Sequence, residues 1–121
     1  MRLISFAELV LGAGMPIYLQ IILYIKREMA AGTIQNGDEM PSRRVLSALL
    51  GVNPNTVQRA FEQLEQQGVL RSERGAGWFV GETTETAEDL RQHMAQEKVS
   101  SFFAEMTGLG LSPEDIKKIV E

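Results

Sequence analysis

Cysteine is absent from the 121-residue chain, and histidine occurs once, at His93. Disulfides, thiolate metal sites and histidine-rich metal clusters are thereby excluded. His93 alone, without partner ligands, is expected to be a solvated helix residue. No apolar run approaches the roughly 20 residues that a membrane-spanning helix needs. The opening MRLISFAELVLGAG has a basic start and apolar content, but Glu8 interrupts it, which disfavours a secretory leader. Residues 1–14 are expected to be a short N-terminal arm packed on the domain, or an extension ahead of a start near Met15. Internal repeats and low-complexity segments are missing. So is any nucleophile–base pair, lysine-bearing phosphate loop or metal signature, so no enzyme and no cofactor is expected. Positive charge is scarce overall: 12 Lys and Arg stand against 16 Asp and Glu, a net charge of −4. Taken whole, that balance argues against a polyanionic partner.

The distribution of charge argues the other way. Residues 1–39 are net −1 and residues 82–121 net −5. Between them, Arg43, Arg44, Arg59, Arg71 and Arg74 outnumber Glu62, Glu65 and Glu73 over residues 40–81. A modest basic centre with acidic flanks suits local contact with phosphates, the remainder being held off by repulsion.

Apolar periodicity and capping residues set the order of elements. Tyr18, Ile21, Ile22, Ile25 and Met29 recur at helical spacing, so 17–31 reads as an amphipathic helix. Ser42 is a good N-cap for a second helix that reaches Leu50, with Val45, Leu46 and Leu49 expected on its buried face. Gly51, Val52 and Asn53 make a tight break, and Pro54 fits the first position of a third helix, 54–67. There Val57, Ala60, Phe61 and Leu64 form the buried stripe. Residues 69–73 and 77–80 are β-rich runs around Arg74-Gly75-Ala76 and read as a hairpin, with Trp78 packing within it. A long helix is expected from Thr84 to Met106, with Ala95, Val99, Phe102, Phe103 and Met106 on one side. Gly108-Leu109-Gly110 breaks it, and Ser112 with Asp115 opens a last short helix carrying Ile116, Ile119 and Val120. Glu88, Asp89 and Glu97 read as a solvent face, not as a carboxylate pair for catalysis.

Helix, helix, tight turn, helix, hairpin over 17–81 is the order of a winged helix-turn-helix, an α+β and mostly helical class. In such a domain the helix after the turn presents its first residues to base edges, while the preceding helix and the hairpin hold the backbone. Asn55, Thr56, Gln58 and Arg59 are residue types suited to such contacts, since amides pair with adenine, and arginine with guanine or phosphate. Arg59 has an alternative partner in Glu62, three residues along its own helix. Ser42, Arg43 and Arg44 stand at a helix N-terminus, where amides and the helix dipole favour phosphate. Gly75 and Gly77 let the hairpin tip approach a sugar-phosphate backbone closely.

The stretch MPSRRVLSALLGVNPNTVQRAFEQLEQQGVLRSERGAGWFV resembles the DNA-binding domain of GntR-type bacterial regulators. The likeness lies in Met40-Pro41-Ser42 with Arg44, Leu49 with Gly51-Val52, Thr56-Val57, Leu64-Glu65 and Gly68-Val69-Leu70. It continues through Arg74-Gly75-Ala76-Gly77 into Phe79-Val80. With the Pro-Ile-Tyr-Leu-Gln-Ile opening of the first helix, it covers about residues 15–81. Asn53-Pro54-Asn55-Thr56-Val57 and the short two-helix tail are similar to the YtrA-like subfamily. The resemblance implies DNA contact by Arg44, by Asn55, Thr56 and Gln58, and by a wing tip of Arg74, Gly75 and Gly77. Pro54 stands where many relatives have arginine, which removes one contacting charge. Arg43 stands where many have an acid, which returns one. The roughly 40 residues of 82–121 are then expected to form a dimerisation tail in place of a larger ligand-binding domain. The stripe of Val99, Phe102, Phe103 and Met106 needs a partner surface in any case.

The function expected is that of a cytoplasmic, sequence-specific DNA-binding transcription regulator, a repressor that meets a palindromic double-stranded operator as a homodimer. The alternative is a winged helix used only as a protein-interaction module.

Overall fold

Five helices and one hairpin make up residues 2–81 and 87–121, the part of the chain that the computed structural model describes. Helix α1 (Ile17–Ala30) carries Ile21, Ile22, Ile25 and Met29 into the core at the expected spacing, with Tyr18 half-buried at its first turn. Helix α2 (Arg43–Leu50) starts where the Ser42 hydroxyl accepts the Val45 amide at 3.1 Å. It stops at Gly51, whose φ of 67° is the left-handed conformation that a residue without Cβ adopts cheaply. Helix α3 (Pro54–Gln66) is capped by Asn53, whose Oδ1 accepts the Asn55 amide at 2.8 Å. Its Val57, Ala60, Phe61 and Leu64 are fully buried.

The α2 face differs from expectation. Leu46 and Ser47 are the buried residues, whereas Val45 is 51% and Leu49 69% exposed. Burial in α2 follows contact with α3, and this short helix offers α3 only one edge. Val45 and Leu49, four residues apart, share the opposite edge and face solvent.

Strands β1 (Leu70–Glu73) and β2 (Gly77–Val80) pair antiparallel, Leu70 opposite Val80 and Glu73 opposite Gly77. The sheet is wider than the hairpin. Glu39 bridges antiparallel to Phe79 and parallel to Leu3, so the N-terminal segment adds a further edge at the root of the wing. The Ile4 amide donates to the Glu39 carbonyl at 2.8 Å, and the Glu39 amide to the Arg2 carbonyl at 2.7 Å. Ile4 and Phe6 are buried, the Phe6 and Tyr24 rings lie 5.2 Å apart, and Arg2 reaches the buried carboxylate of Asp38 at 3.2 Å. Residues 2–6 thus pack on the domain as part of its core and sheet.

Helix α4 (Ala87–Gly108) packs its first half on α1: Leu90 is buried in the common core and Met94 lies against it. Its expected onset at Thr84 lies outside the described residues. Arg91 donates to the Ala30 carbonyl through Nε at 3.4 Å and Nη2 at 3.3 Å, which satisfies an open carbonyl at the end of α1. Beyond Met94 the helix leaves the core. Val99 and Phe103 are 51% and 43% exposed and Phe102 and Met106 half-buried, with the two phenylalanine rings edge-on at 5.9 Å. Helix α5 (Pro113–Val120) turns back onto α4 and buries Ile116 completely, while Ile119 and Val120 stay exposed.

Candidate nucleic-acid interface

The tight turn Gly51–Asn53 sets α3 against α2, and the hairpin packs on α3 through β1. Four core residues fix the inner face of α3, which leaves the rows of Asn55, Gln58, Arg59 and Glu62 pointing outward. Asn55 and Arg59 are exposed, and Thr56 and Gln58 half-buried. The cap is made by the Asn53 side chain with the Asn55 backbone N–H, and the exposed side-chain amide of Asn55 takes no part in it.

Ser42, Arg43 and Arg44 are exposed at the start of α2. The Ser42 hydroxyl is the helix cap, so its share in holding a phosphate comes through the helix N-terminus it organises. Arg43 leans toward α3, its Nη1 donating to the Gln58 Oε1 at 3.3 Å. Gln58 in turn donates from Nε2 to Glu62 at 2.8 Å. Arg43, Gln58 and Glu62 therefore form one chain across the helix-turn-helix, and that chain orients the Gln58 amide. Arg44 has no side-chain hydrogen bond or ion pair among the described residues, so its guanidinium is free to meet an anion.

Arg59 does not take Glu62, the partner that its own helix offers. Its guanidinium lies over the Tyr18 ring, 3.8 Å from the centroid, and Nη2 donates to the Tyr18 hydroxyl at 3.2 Å. Glu62 is engaged by Gln58 instead. Sequence spacing reveals neither contact: Tyr18 reads as the edge of a core stripe, and its hydroxyl is the one sign that it serves a polar neighbour as well.

At the hairpin tip Arg74, Gly75 and Gly77 are exposed, and the glycines sit at φ 76° and 101°. That backbone excludes most side chains and closes the loop, where the Ala76 amide donates to the Glu73 carbonyl at 3.0 Å. The second hairpin arginine is engaged within the hairpin: Arg71 pairs with Glu73 at 3.1 Å and donates to the Val80 carbonyl at 3.0 Å. Ser72 ties β1 to α3 through Glu65 at 2.9 Å, and Trp78 packs on Phe61, ring centroids 5.5 Å apart. The wing is thus anchored to α3 while Arg74 projects from it.

Val99, Phe102, Phe103 and Met106 lie apart from this surface on the outer half of α4. His93 is exposed on the same helix. No helix among the described residues is long and apolar enough to cross a membrane.

Residues 17–80 match the family model described as bacterial regulatory proteins, gntR family. The chain is 35% identical over 101 residues to an uncharacterized HTH-type transcriptional regulator of Bacillus subtilis, YhcF, the match covering 84% of each. It is 39% identical over 71 residues to the B. subtilis HTH-type transcriptional repressor YtrA, covering 59% of this chain and 55% of that one. The chain thus spans most of the first relative's length and about half of the second's. Among solved structures, a GntR family transcriptional regulator from Listeria monocytogenes superposes with a TM-score of 0.78 at 36% identity, covering 91% of this chain and 96% of that one. The DNA-binding domain of AraR in complex with its operator ORX1 superposes with a TM-score of 0.53 at 26% identity, covering 67% of this chain and 96% of that one. The family model takes in more than half of the residues, and its span holds the helix-turn-helix and the wing just described: the chain belongs to the GntR family of bacterial regulatory proteins.

Proposed function

We propose that the chain is a cytoplasmic, sequence-specific regulator of transcription that represses by lying on a roughly palindromic operator as a homodimer. One observation carries the reading: Asn55 is exposed and Thr56 and Gln58 are half-buried in the N-terminal half of α3, in a domain that also exposes Arg44 at the start of α2 and Arg74 at the hairpin tip. Amides over base edges with arginines over phosphates is the division of labour that sequence-specific binding requires. α3 enters the major groove, Arg43 and Arg44 hold the backbone beside it, and the tip at Arg74, Gly75 and Gly77 reaches the minor groove. The operator-bound domain of AraR and the repressor YtrA support the assignment by likeness.

The N-terminal arm (1–14), the winged helix (15–81) and the tail (82–121) divide the work. The stripe of exposed Val99 and Phe103 with half-buried Phe102 and Met106 pairs with a second copy, and two copies then read half-sites about one helical turn apart or a multiple of it.

Electrophoretic retardation of the gene's own upstream DNA at two salt concentrations tests the proposal. A regulator retains that fragment over unrelated competitor and loses affinity steeply as salt rises. A chain that leaves every duplex unshifted at low salt is an interaction module, and the proposal falls.

A further inference from the structure

Tyr18 and Arg59 are 41 residues apart and join the first turn of α1 to the middle of α3. A cation–π contact at 3.8 Å and a hydrogen bond at 3.2 Å act on the same guanidinium, so two contacts restrict where it points. Tyr18 is itself half-buried against the core, so packing holds the ring whether or not the arginine is present. Arginine has five N–H donors. The phenol oxygen accepts from one nitrogen, and the others stay available. Arg59 also shares its outward row with Asn55, one turn closer to the start of α3. The guanidinium therefore borders the surface that Asn55 would read, displaced toward α1, where a phosphate rather than a base edge would lie.

We propose that Tyr18 is a positioning residue that pre-sets Arg59 to clamp a backbone phosphate beside the bases read by α3. An exposed arginine otherwise samples many rotamers, and ordering it on binding costs affinity; the tyrosine imposes that order during folding. The inference rests on the DNA-binding reading above.

The test is a double-variant cycle on the upstream duplex, with affinity measured across a salt series and thermal melts recorded in parallel. Tyr18→Leu and Arg59→Ala are each expected to weaken binding about five- to tenfold, as loss of one ordered phosphate contact would. Arg59→Ala should lower the steepness of the logarithmic salt dependence by about 0.9, whereas Tyr18→Leu, which keeps the charge, should leave it near that of the wild type. Combined, they should cost no more than Arg59→Ala alone, and Tyr18→Phe should restore most of the binding because the ring remains. Should Tyr18→Leu unfold the domain, Arg59→Lys replaces it: the charge stays but the planar guanidinium and its N–H fork are lost, and weaker binding is expected. Wild-type affinity in Tyr18→Leu, losses that multiply in the double variant, or wild-type affinity in Arg59→Lys would overturn the inference. A wild-type chain that ignores the duplex overturns the DNA-binding reading and this inference together.

Discussion

Arg44, Arg71 and Arg74 differ in what surrounds their charge, not in the charge itself. Arg71 is held by Glu73 and a carbonyl, whereas Arg44 has no such claim on it among the described residues. Arg44→Ala should therefore weaken operator binding about tenfold and flatten the salt dependence. The melting temperature should stay near that of the wild type, because an exposed side chain that makes neither the cap nor a core contact contributes little to stability. Fluorescence anisotropy with a thermal melt checks both halves. Asp115 offers a prediction in pH. The Ser112 backbone amide donates to its carboxylate at 3.0 Å and, with the Ser112 side chain, holds the group below its ordinary value of 3.8. A depressed folded value means that the cap's contribution is fully present above the ordinary value and is lost as pH falls through the folded one. Backbone carbon shifts over 113–117 should accordingly lose helical character on titration from pH 6 to pH 2, and Asp115→Asn should remove most of that dependence. Residue by residue, the sequence discloses what a group can do more readily than whom it meets. Asn53, Ser42 and Ser112 are legible as caps because capping is local. Arg59 over Tyr18 is not, because its partner comes from another helix.

Among the elements, α1, α3 and the hairpin are legible for a shared reason. Each has an apolar stripe of the right period bounded by a cap, a proline or a glycine, and tertiary packing agrees with it. α2 shows where periodicity stops being enough. Val45, Leu46 and Leu49 fall on a plausible helical face, but an eight-residue helix can bury only the edge that its neighbour covers, and that edge is Leu46 with Ser47. The N-terminal arm is opaque for a different reason. Its link to the wing runs through two single-residue bridges, Leu3 to Glu39 and Glu39 to Phe79, which have no period to detect. The arm nonetheless contributes two core side chains. Phe6→Ala should cost about 3 kcal/mol by loss of a buried ring against Tyr24. A denaturant melt reads that loss; a midpoint equal to that of the wild type would show that the arm lies on the domain without supporting it.

At the scale of the whole molecule the acidic balance and the DNA-binding reading are compatible because charge is zoned. The net +2 of residues 40–81 lies on the helix-turn-helix and wing, and the net −5 of residues 82–121 on the tail. A symmetric pair of chains would put two basic faces on one side and the tails together on the other. Phe102→Asn with Phe103→Asn should then yield a monomer by light scattering, with operator affinity reduced at least tenfold as one half-site is lost. A dimer of undiminished mass would move the interface elsewhere.

Amide chemical-shift mapping of the labelled chain with an upstream duplex tests the central claim most directly, because it reports place as well as binding. The largest changes are expected at 42–44, 55–59 and 74–77, with 109–121 little moved. Changes that avoid the first half of α3, or that gather on the tail alone, would contradict DNA reading by this helix.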